Sequence, residues 1–349
     1  MRRVFLLGSN GNVGSQVLEV IHSNPEQLEL YGCSVSINDQ DNFLIIKQFS
    51  PKIVILRKFQ QLKIYRRRWP TIKFFLGIKQ LKKILPLISQ DILIFNALSG
   101  VAGIEPTILA IKNGFHQALV NKEGYVAKGA LINKLLKIYQ TKIIPVDSEI
   151  SSLFQLKENI LPGELIQTWG ITASGGALRD KTAQEIQQIS VAGLLNHPTW
   201  KMGAKITIDS ASLLNKAFEV IEAAHYFELD ISQIEVKVER TSHIHAYLKT
   251  NLGYHYYIDE PDMKNHIYYA LCYPKVDKTA NIKTHPQGYR LDNLDTTNFP
   301  LYDFCLQTYR KKPQKMLKLI KLSQKGVKLL ISGRISYDQY LGWVMKKAK

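Results

Sequence analysis

Cysteine is scarce in this chain, and long apolar runs are absent. The three cysteines, Cys33, Cys272 and Cys305, form no CxxC pair and so indicate no disulfide framework. A reducing, cytoplasmic setting is therefore expected. No apolar run reaches the roughly 18 residues that a membrane-spanning helix needs, so we expect no membrane partner. Arg2 and Arg3 lead straight into an apolar stretch, which is not the pattern of a signal peptide.

Acidic residues are also in the minority. The chain has 29 Asp and Glu against 46 Lys and Arg, which gives a formal net charge of +17. Such a balance can indicate nucleic-acid binding, and residues 63–69 (KIYRRRW) mix cations with aromatic rings. The charge is nevertheless spread along a Lys- and Ile-rich sequence rather than gathered in one arm. We expect no nucleic-acid partner, and interpret the charge as a diffuse field that attracts phosphorylated ligands.

The first 146 residues alternate short apolar strands with helical segments. Hydrophobic residues make up 45% of the 349-residue chain, enough for a large core in two or three domains. Strands are predicted at Val4–Leu7, Ile53–Leu56, 92–96, 117–120 and 143–146, and a helix at 14–22 has its apolar residues on one face. This rhythm predicts an α/β fold whose N-terminal domain, residues 1–146, is a Rossmann-like doubly wound parallel sheet that binds the cofactor.

The remaining sequence has a different composition and a different order of predicted elements. Ser- and Gly-rich turns alternate with helices and with strand-like stretches at Ile234–Val238, Ile244–Thr250 and 254–258. We therefore predict an α+β catalytic and dimerisation domain over residues 147–275 with a mixed or antiparallel sheet. A polar linker is predicted at 276–300, followed by a short C-terminal helical domain at 301–349.

The segment 8–14 (GSNGNVG) follows the first predicted strand and opens a helix. Glycines there permit a tight turn, and a helix N-terminus presents N–H donors to a pyrophosphate, so the segment predicts a dinucleotide loop. An ordinary strand–helix turn is the alternative. At the end of the second strand, Ser36-Ile37-Asn38-Asp39 carries no cation for a 2′-phosphate, and Asp39 is predicted to be a solvated turn residue. The residues alone leave the cofactor undecided.

Three carboxylates are candidates for a metal site. Asp147 and Glu149 follow a predicted strand at the edge of the sheet where ligands bind in open α/β folds. A third carboxylate, from Glu219 or Glu222, would complete an oxygen-rich site for Mg²⁺ or Mn²⁺. The alternative is that Asp147 caps the next helix and Glu149 lies in its first turn. Taken alone, the two interpretations are evenly balanced.

Small polar segments nearby favour a phosphate site. Residues 172–176 (TASGG) offer N–H and O–H donors, and residues 209–219 place Ser210, Asn215, Lys216 and Glu219 in one helical entry. The loop 197–203 (HPTWKMG) has the composition of a mobile lid, although a surface loop with a buried aromatic anchor is the alternative. The pair His243-x-His245 is assigned to packing, with no ligand role.

Taken in order, these motifs resemble those of the 1-deoxy-D-xylulose 5-phosphate reductoisomerase family. The matching segments are GSNGNVG at 8–14, NKE at 121–123, PVDSE at 145–149, TASGG at 172–176, HPTWKMG at 197–203, the stretch 205–222, and EPDM at 260–263. The resemblance runs through residues 1 to about 275 and is densest from 95 to 222. So many motifs in the family's order make it highly specific.

The resemblance implies a role for each matching residue. The metal ligands would be Asp147, Glu149 and Glu219, which with Lys122 form the catalytic set. Substrate would contact Ser148, Ser174, His197, Trp200, Met202, Ser210, Asn215 and Lys216. The cofactor would contact Gly8, Ser9, Asn10, Gly11, Asn12, Val13, Asn38, Asn121, Glu123 and Gly203.

The resemblance also implies the chemistry. A small sugar phosphate, 1-deoxy-D-xylulose 5-phosphate, would rearrange on a Mn²⁺ or Mg²⁺ site, with Co²⁺ as a third candidate, to a branched aldehyde. NADPH would reduce this aldehyde to 2-C-methyl-D-erythritol 4-phosphate, a precursor in the non-mevalonate route to isoprenoids. A homodimer is expected by the same analogy.

The sequence departs from the family pattern in places. Ser36-Ile37-Asn38 stands where the family usually has Gly-Lys-Asn, so NADPH preference is less secure than cofactor binding. Residues 322–326 (LSQKG) replace an Asn-Ala-Ala-Asn-Glu-like signature in a shortened C-terminal domain, and 239–242 (ERTS) replace His-Pro-Gln-Ser. Two rival functions remain: a metal-independent two-domain sugar-phosphate dehydrogenase, and a decayed basic protein that binds RNA.

Overall fold

The computed structural model describes residues 1–276, 282–285 and 288–349. These residues form two compact units. The first contains residues 1–124, 131–147 and 263–276, and the second contains 125–130, 148–262 and the described residues from 282 onward. The predicted linker at 276–300 includes 277–281 and 286–287, which lie outside the described residues.

The first unit is built on a parallel sheet. Its described strands are β1 (Arg2–Leu7), β2 (Leu28–Ser34), β3 (Ile53–Leu56), β4 (Lys73–Leu76), β5 (Leu93–Asn96), β6 (Gln117–Leu119) and β7 (Ile143–Pro145). They lie in the order β4-β3-β2-β1-β5-β6-β7, and every neighbouring pair is parallel. The order reverses at β1, so the carboxyl end of β1 is the switch point at which ligands bind in doubly wound folds.

Helices connect these strands as the parallel pairing requires. They are α1 (Asn12–Ser23), α2 (Asp39–Phe49), α3 (Phe59–Arg68), α4 (Leu81–Ile84), α5 (Ile104–Lys112) and α6 (Lys122–Tyr139). The chain returns to this unit with α12 (Lys264–Cys272), which contacts α1 and β1. α1 buries Val17, Val20 and Ile21, the apolar face that its spacing predicts. α6 is kinked at Lys128, whose φ of −143° is not helical.

The second unit contains a mixed sheet. Its described strands are β8 (Ile166–Ala173), β9 (Ile234–Val238), β10 (Ile244–Thr250), β11 (Gly253–Ile258), β12 (Ile282–Lys283) and β13 (Asp292–Asn293). The order is β12-β11-β10-β8-β9-β13, with β8 and β9 parallel and the other neighbours antiparallel. Two short strands therefore lie in the range predicted as linker, and both extend this sheet at its edges.

The helices of the second unit include two that pack on this sheet and carry residues of the candidate site. The helices are α7 (Ser148–Glu158), α8 (Ala183–Gln187), α9 (Val191–Leu195), α10 (Ala204–Ala211), α11 (Leu214–Phe227), α13 (Pro300–Lys311), α14 (Met316–Ile331) and α15 (Tyr337–Ala348). The two that pack on the sheet are α7 and α11. Leu153 of α7 and Val220 of α11 share a buried core with Ile171 and Leu248 of the sheet. The core fixes both helices, and hence Glu149 at the start of α7 and Glu219 in α11.

The predicted fold class is confirmed. The parallel sheet, the separate second sheet and the three C-terminal helices all occur in the predicted order. Four of the described strands were not predicted: β4, β8, β12 and β13. In the described part of the chain, none of the helices has both the length and the apolar character needed to cross a membrane.

Candidate active site

The glycine-rich loop between β1 and α1 has a backbone that only glycine accommodates. Gly8 has a φ of +90°, and its carbonyl oxygen accepts a hydrogen bond from the N–H of Gly11 at 3.0 Å. A Cβ added to Gly14 would lie 2.1 Å from that same oxygen. The spacing GxxGxxG therefore closes the turn and lets α1 begin against it, which leaves the N-terminus of α1 facing the switch point.

Two polar side chains of the loop brace it against the end of β2. Ser9 Oγ donates to the carbonyl of Ser34 at 2.8 Å, and Asn10 Oδ1 accepts from the N–H of Ser36 at the same distance. Asn10 also donates to Asn42 Oδ1 at 3.1 Å. These contacts hold the backbone of the loop in shape.

Asn38 caps the helix that follows β2. Its side chain accepts from the N–H of Gln40 at 3.1 Å, and Ile37 beside it is 54% exposed. The prediction for Asp39 was partly wrong. Although it is exposed, Asp39 is the first residue of α2, and its carboxylate accepts from Gln61 at 2.6 Å and Tyr65 at 2.7 Å.

The segment 121–123 combines a helix cap with an ion pair. Asn121 caps α6 by accepting from the N–H of Gly124 at 3.0 Å, and its amide donates to the carbonyls of Leu98 and Gly100. Asn121 and Glu123 are both buried. The Lys122 ammonium forms a salt bridge with Asp147, and both side chains are nearly buried.

Asp147, Glu149 and Glu219 form one acidic cluster. Each offers a carboxylate oxygen, and these three oxygens all lie within 4.8 Å of one another. Asp147 immediately precedes α7 and Glu149 lies in its first turn, so the helix-cap and metal-site interpretations describe the same positions. Glu222 lies outside the cluster. The charge of Glu222 acts on a different group, Tyr125. Burial, and after it this charge, raises the pKa of Tyr125.

Lys216 lies between two of the three carboxylates. Its Nζ is 2.7 Å from Glu149 Oε1 and also pairs with Glu219, one turn away on α11. Burial alone would lower the pKa of Lys216, but the two carboxylates outweigh burial and raise it. Asn215 donates to Glu219 at 2.5 Å, and Ser148 Oγ donates to Glu149 Oε2 at 2.5 Å. Ser148, Asn215 and Lys216, all predicted as site residues, are thus each in contact with a carboxylate of the cluster.

His197 joins the two predicted phosphate-binding serines. Its Nε2 lies 3.2 Å from Ser174 Oγ and 3.2 Å from Ser210 Oγ. On the other side of the ring, Nδ1 accepts from the backbone N–H groups of Thr199 at 3.3 Å and Trp200 at 3.0 Å. Because Nδ1 is an acceptor, the neutral ring has its proton on Nε2. Burial, aided by Arg179, lowers the pKa of His197 to about 4, so the ring is neutral at pH 7.

This protonation state leaves both hydroxyl hydrogens available. The Nε2–H donates toward the two serine oxygens, and Ser174 Oγ also accepts from the N–H of Gly176 at 3.2 Å. A hydroxyl that is accepting can still donate its own proton. Ser174 and Ser210 therefore have O–H groups to offer to an anion such as a phosphate.

The predicted lid, residues 197–203, is an irregular loop between α9 and α10. Trp200 and Met202 are both half-buried, and the Trp200 ring lies 6.0 Å from the ring of His245. His245 is 2% exposed and also faces Tyr257 at 6.2 Å. Gly203 is the N-cap of α10 and is exposed. His245 thus packs with the rings of both Trp200 and Tyr257, with no ligand role assigned to it.

Two residues near the serines were not predicted. Arg179 donates from its Nη1 to the carbonyl of Ser174 at 2.8 Å and to that of Arg240 at 2.8 Å. Asp209 precedes Ser210 and is 1% exposed, paired with Lys205 at 2.6 Å. Arg179 follows the TASGG segment by only three residues, which is the one local signal that could have indicated it.

Fold and site together define a class of protein: a doubly wound unit with a dinucleotide-type loop, an α+β unit with a serine–histidine group, and a cluster of three carboxylates. Comparison with known proteins gives the family. The family model of 1-deoxy-D-xylulose 5-phosphate reductoisomerase matches residues 4–129, and that of the enzyme's C-terminal domain matches 143–227. The chain belongs to the 1-deoxy-D-xylulose 5-phosphate reductoisomerase family.

Individual relatives agree. A 1-deoxy-D-xylulose 5-phosphate reductoisomerase of Listeria monocytogenes is 38% identical over 277 residues, which is 78% of this chain and 72% of the relative. That of Lysinibacillus sphaericus is 37% identical over 354 residues, covering 97% and 90%. The predicted family and the predicted class of enzyme are confirmed.

Solved structures confirm the fold. A DOX-P reductoisomerase in complex with NADPH, fosmidomycin and magnesium has a TM-score of 0.89 at 24% identity, covering 100% of this chain and 89% of the other. The Zymomonas mobilis enzyme in complex with NADPH has a TM-score of 0.84 at 24% identity, covering 99% and 91%.

Proposed function

We propose that this chain converts 1-deoxy-D-xylulose 5-phosphate to 2-C-methyl-D-erythritol 4-phosphate, with NADPH as reductant and a divalent metal, Mn²⁺, Mg²⁺ or Co²⁺. The observation that carries the proposal is the cluster of Asp147, Glu149 and Glu219. A metal-independent dehydrogenase has no need of three carboxylates within 4.8 Å of one another. The family assignment and the NADPH and magnesium complexes of proteins with this fold support it further.

The donor set fits a hard divalent cation. All three groups are carboxylates, the ligands that Mg²⁺ and Mn²⁺ prefer, and both Asp147 and Glu219 are buried. Lys122 pairs with Asp147 and Lys216 with Glu149, so the two lysines neutralise part of the cluster charge. The chemistry such a metal supplies is polarisation of the substrate's ketone and adjacent hydroxyl. Asp147, Glu149 and Glu219 would hold it, and Ser148 would contact the substrate oxygens beside them.

The remaining polar residues of the second unit bind the phosphate end of the substrate in this proposal. The hydroxyl groups of Ser174 and Ser210 would donate hydrogen bonds to the phosphate, and the neutral His197 would keep both serine oxygens oriented. Asn215 and Lys216 add an amide and a cation. Trp200 and Met202, on the lid loop, exclude water from the reacting carbons.

The first unit would bind the cofactor. The N-terminus of α1 receives the pyrophosphate, through the backbone of residues 8–13. Asn38, Asn121, Glu123 and Gly203 would complete the cofactor contacts, and the bound cofactor would supply the hydride that reduces the aldehyde. Ile37 offers no charge to a 2′-phosphate, so we expect a smaller preference for NADPH over NADH than a lysine at this position would give.

The test is NADPH consumption with 1-deoxy-D-xylulose 5-phosphate and Mn²⁺. We expect turnover by the parent, loss in excess EDTA, and a fall of several orders of magnitude for Glu149→Gln. Glu158→Gln, at the other end of α7, is the matched control and should retain parental activity. Full activity in EDTA would support the dehydrogenase instead, whereas salt-sensitive RNA binding without turnover would support the RNA-binding alternative.

We further propose that the chain works as a cytoplasmic homodimer. Residues 1–146 would bind NADPH, 147–275 would carry catalysis and dimerisation, and 301–349 would form the C-terminal helical domain. Tyr254 and Leu252, 42% and 70% exposed at the β10–β11 turn, offer apolar surface for association. Light scattering of the purified chain tests the dimer, and a monomeric mass at micromolar concentration would contradict it.

A further inference from the structure

A buried hydrogen-bond network joins the C-terminal helices to the residue that precedes Ser210. Ser323 Oγ on α14 donates to Asp209 Oδ1 at 3.0 Å, and the Tyr340 hydroxyl on α15 lies 3.4 Å from Ser323 Oγ. Asp209 is 1% exposed, and Ser323 and Tyr340 are fully buried. A carboxylate in such surroundings needs both hydrogen bonds and an opposite charge, and Lys205 supplies the charge at 2.6 Å.

Asp209 lies where the phosphate-binding residues converge. Ser210 is the next residue along α10, and Asn215 and Lys216 begin α11 only a few residues later. Between them Leu213 adopts a φ of +54°, a left-handed conformation that is costly for a leucine. Such a conformation persists only where its surroundings fix it. We take the Asp209 anchor as one of those constraints, because Asp209 ties the end of α10 to α14 through Ser323, and Ser323 in turn contacts Tyr340 on α15.

Ser210 has little room to adjust if that anchor moves. Its carbonyl oxygen would lie 2.8 Å from a Cβ added to Gly176, which itself has a φ of +66°. Its hydroxyl oxygen lies 3.2 Å from His197 Nε2. A displacement of Asp209 by a few tenths of an ångström would therefore be transmitted to the hydroxyl that we propose donates to the phosphate.

We propose that Asp209 and Ser323 are positioning residues, through which helices α14 and α15 set the affinity of the second unit for a phosphoryl group. The inference rests on the proposed function where it concerns the sugar phosphate. The phosphoryl class follows from the donors being positioned, the Ser210 hydroxyl and, across the turn, Asn215 and Lys216. Neither positioning residue is assigned a contact with the substrate.

The experiment compares Ser323→Ala with Ser323→Thr, which keeps the hydroxyl, and with Ser332→Ala, at the exposed end of the same helix. Calorimetric titration of the full chain gives dissociation constants for inorganic phosphate and for NADPH. For Ser323→Ala we expect phosphate binding to weaken about tenfold, because the Ser210 hydroxyl is no longer held in position, with NADPH binding unchanged. KM for the sugar phosphate should rise more than kcat falls, since a binding interaction is disturbed. Ser323→Thr and Ser332→Ala should stay close to the parent.

Two results would overturn the proposal: parental phosphate affinity in Ser323→Ala, or equal weakening toward phosphate and NADPH, which is the signature of general destabilisation. If Ser323→Ala does not fold, Tyr340→Phe removes only the next hydroxyl of the network and is judged by the same two constants. Phosphate binding is independent of turnover. If the parent binds phosphate but does not consume NADPH, the proposed function is contradicted. The phosphate and NADPH dissociation constants of the parent and of Ser323→Ala then still decide the role of Ser323.

Discussion

Replacing Lys216 with methionine tests the electrostatics of the acidic cluster without reference to turnover. The Lys216 ammonium contacts Glu149 and Glu219, whose side chains are 14% and 2% exposed, so neither is well screened by water. Removing it leaves two carboxylates whose oxygens lie within 4.8 Å of each other. At an effective dielectric constant of about 20, that separation corresponds to a repulsion of about 3 kcal/mol. Methionine keeps most of the side-chain volume, so packing changes little.

A loss of this size should lower the midpoint of thermal unfolding by roughly 5 °C in metal-free buffer. Divalent metal should then stabilise the variant more than the parent, because the ion contributes the positive charge that the lysine no longer supplies. Thermal scans with EDTA and with Mn²⁺ measure both effects. Lys325→Met, at an exposed position of α14, is the matched control and should shift by less than a degree in either buffer.

Unfolding of Lys216→Met at the parental temperature in EDTA would refute the assigned repulsion between the carboxylates. Equal stabilisation of parent and variant by Mn²⁺ would refute it as well, because the carboxylates would then not be competing for the same positive charge. A variant that is destabilised but not rescued by Mn²⁺ would indicate that the cluster is an ion-pair network and not a metal site.

Three further predictions follow from the backbone and from His197. Gly14→Ala should weaken NADPH binding at least tenfold in a fluorescence titration, because its Cβ would lie 2.1 Å from the Gly8 carbonyl, whereas Gly342→Ala, with nothing within 4 Å, should not. Gly176→Ala should raise the KM for the sugar phosphate with little change in NADPH affinity, since both its φ of +66° and the Ser210 carbonyl oppose a methyl group. The pKa of His197 is lowered to about 4 in the folded chain, so folding disfavours the charged ring and stability should fall as pH drops from about 6.5 toward 4. His197→Gln should show a shallower pH dependence in urea unfolding, and an unchanged one would contradict the assigned burial.

Much of the first unit could be predicted because local pattern and tertiary role coincide there. The strand Ile53–Leu56 is apolar throughout and buried on both faces, as a central parallel strand must be. β4 (Lys73–Leu76) was missed because it follows an arginine-rich helix and has only four residues. β8 was missed because Gly170 interrupts it. That glycine is required by Tyr247 on β10, whose ring would lie 2.1 Å from a Cβ at this position, a contact between residues far apart in sequence.

The residues of the candidate site also fall into those that the sequence could predict and those that it could not. Asp147, Glu149 and Ser148 are adjacent, and Asn215, Lys216 and Glu219 share one helix face, so spacing was informative for both groups. Asp209 and Ser323 are 114 residues apart, and no local pattern marks either as a partner of the other. The tautomer of His197 likewise depends on the folded shape of the lid loop, and composition carries no information about it.

The hydrogen bonds that the lid loop donates to His197 have a consequence for how its motion could be observed. While the N–H groups of Thr199 and Trp200 point at Nδ1, the lone pair of that nitrogen is engaged in these two hydrogen bonds. If the loop moved away, Nδ1 would lose these hydrogen bonds and become open to protonation, and its nitrogen-15 resonance would shift toward the titrating range. The nitrogen-15 resonance of a labelled His197 would thus report opening of the loop directly, in the resting protein and without any added ligand.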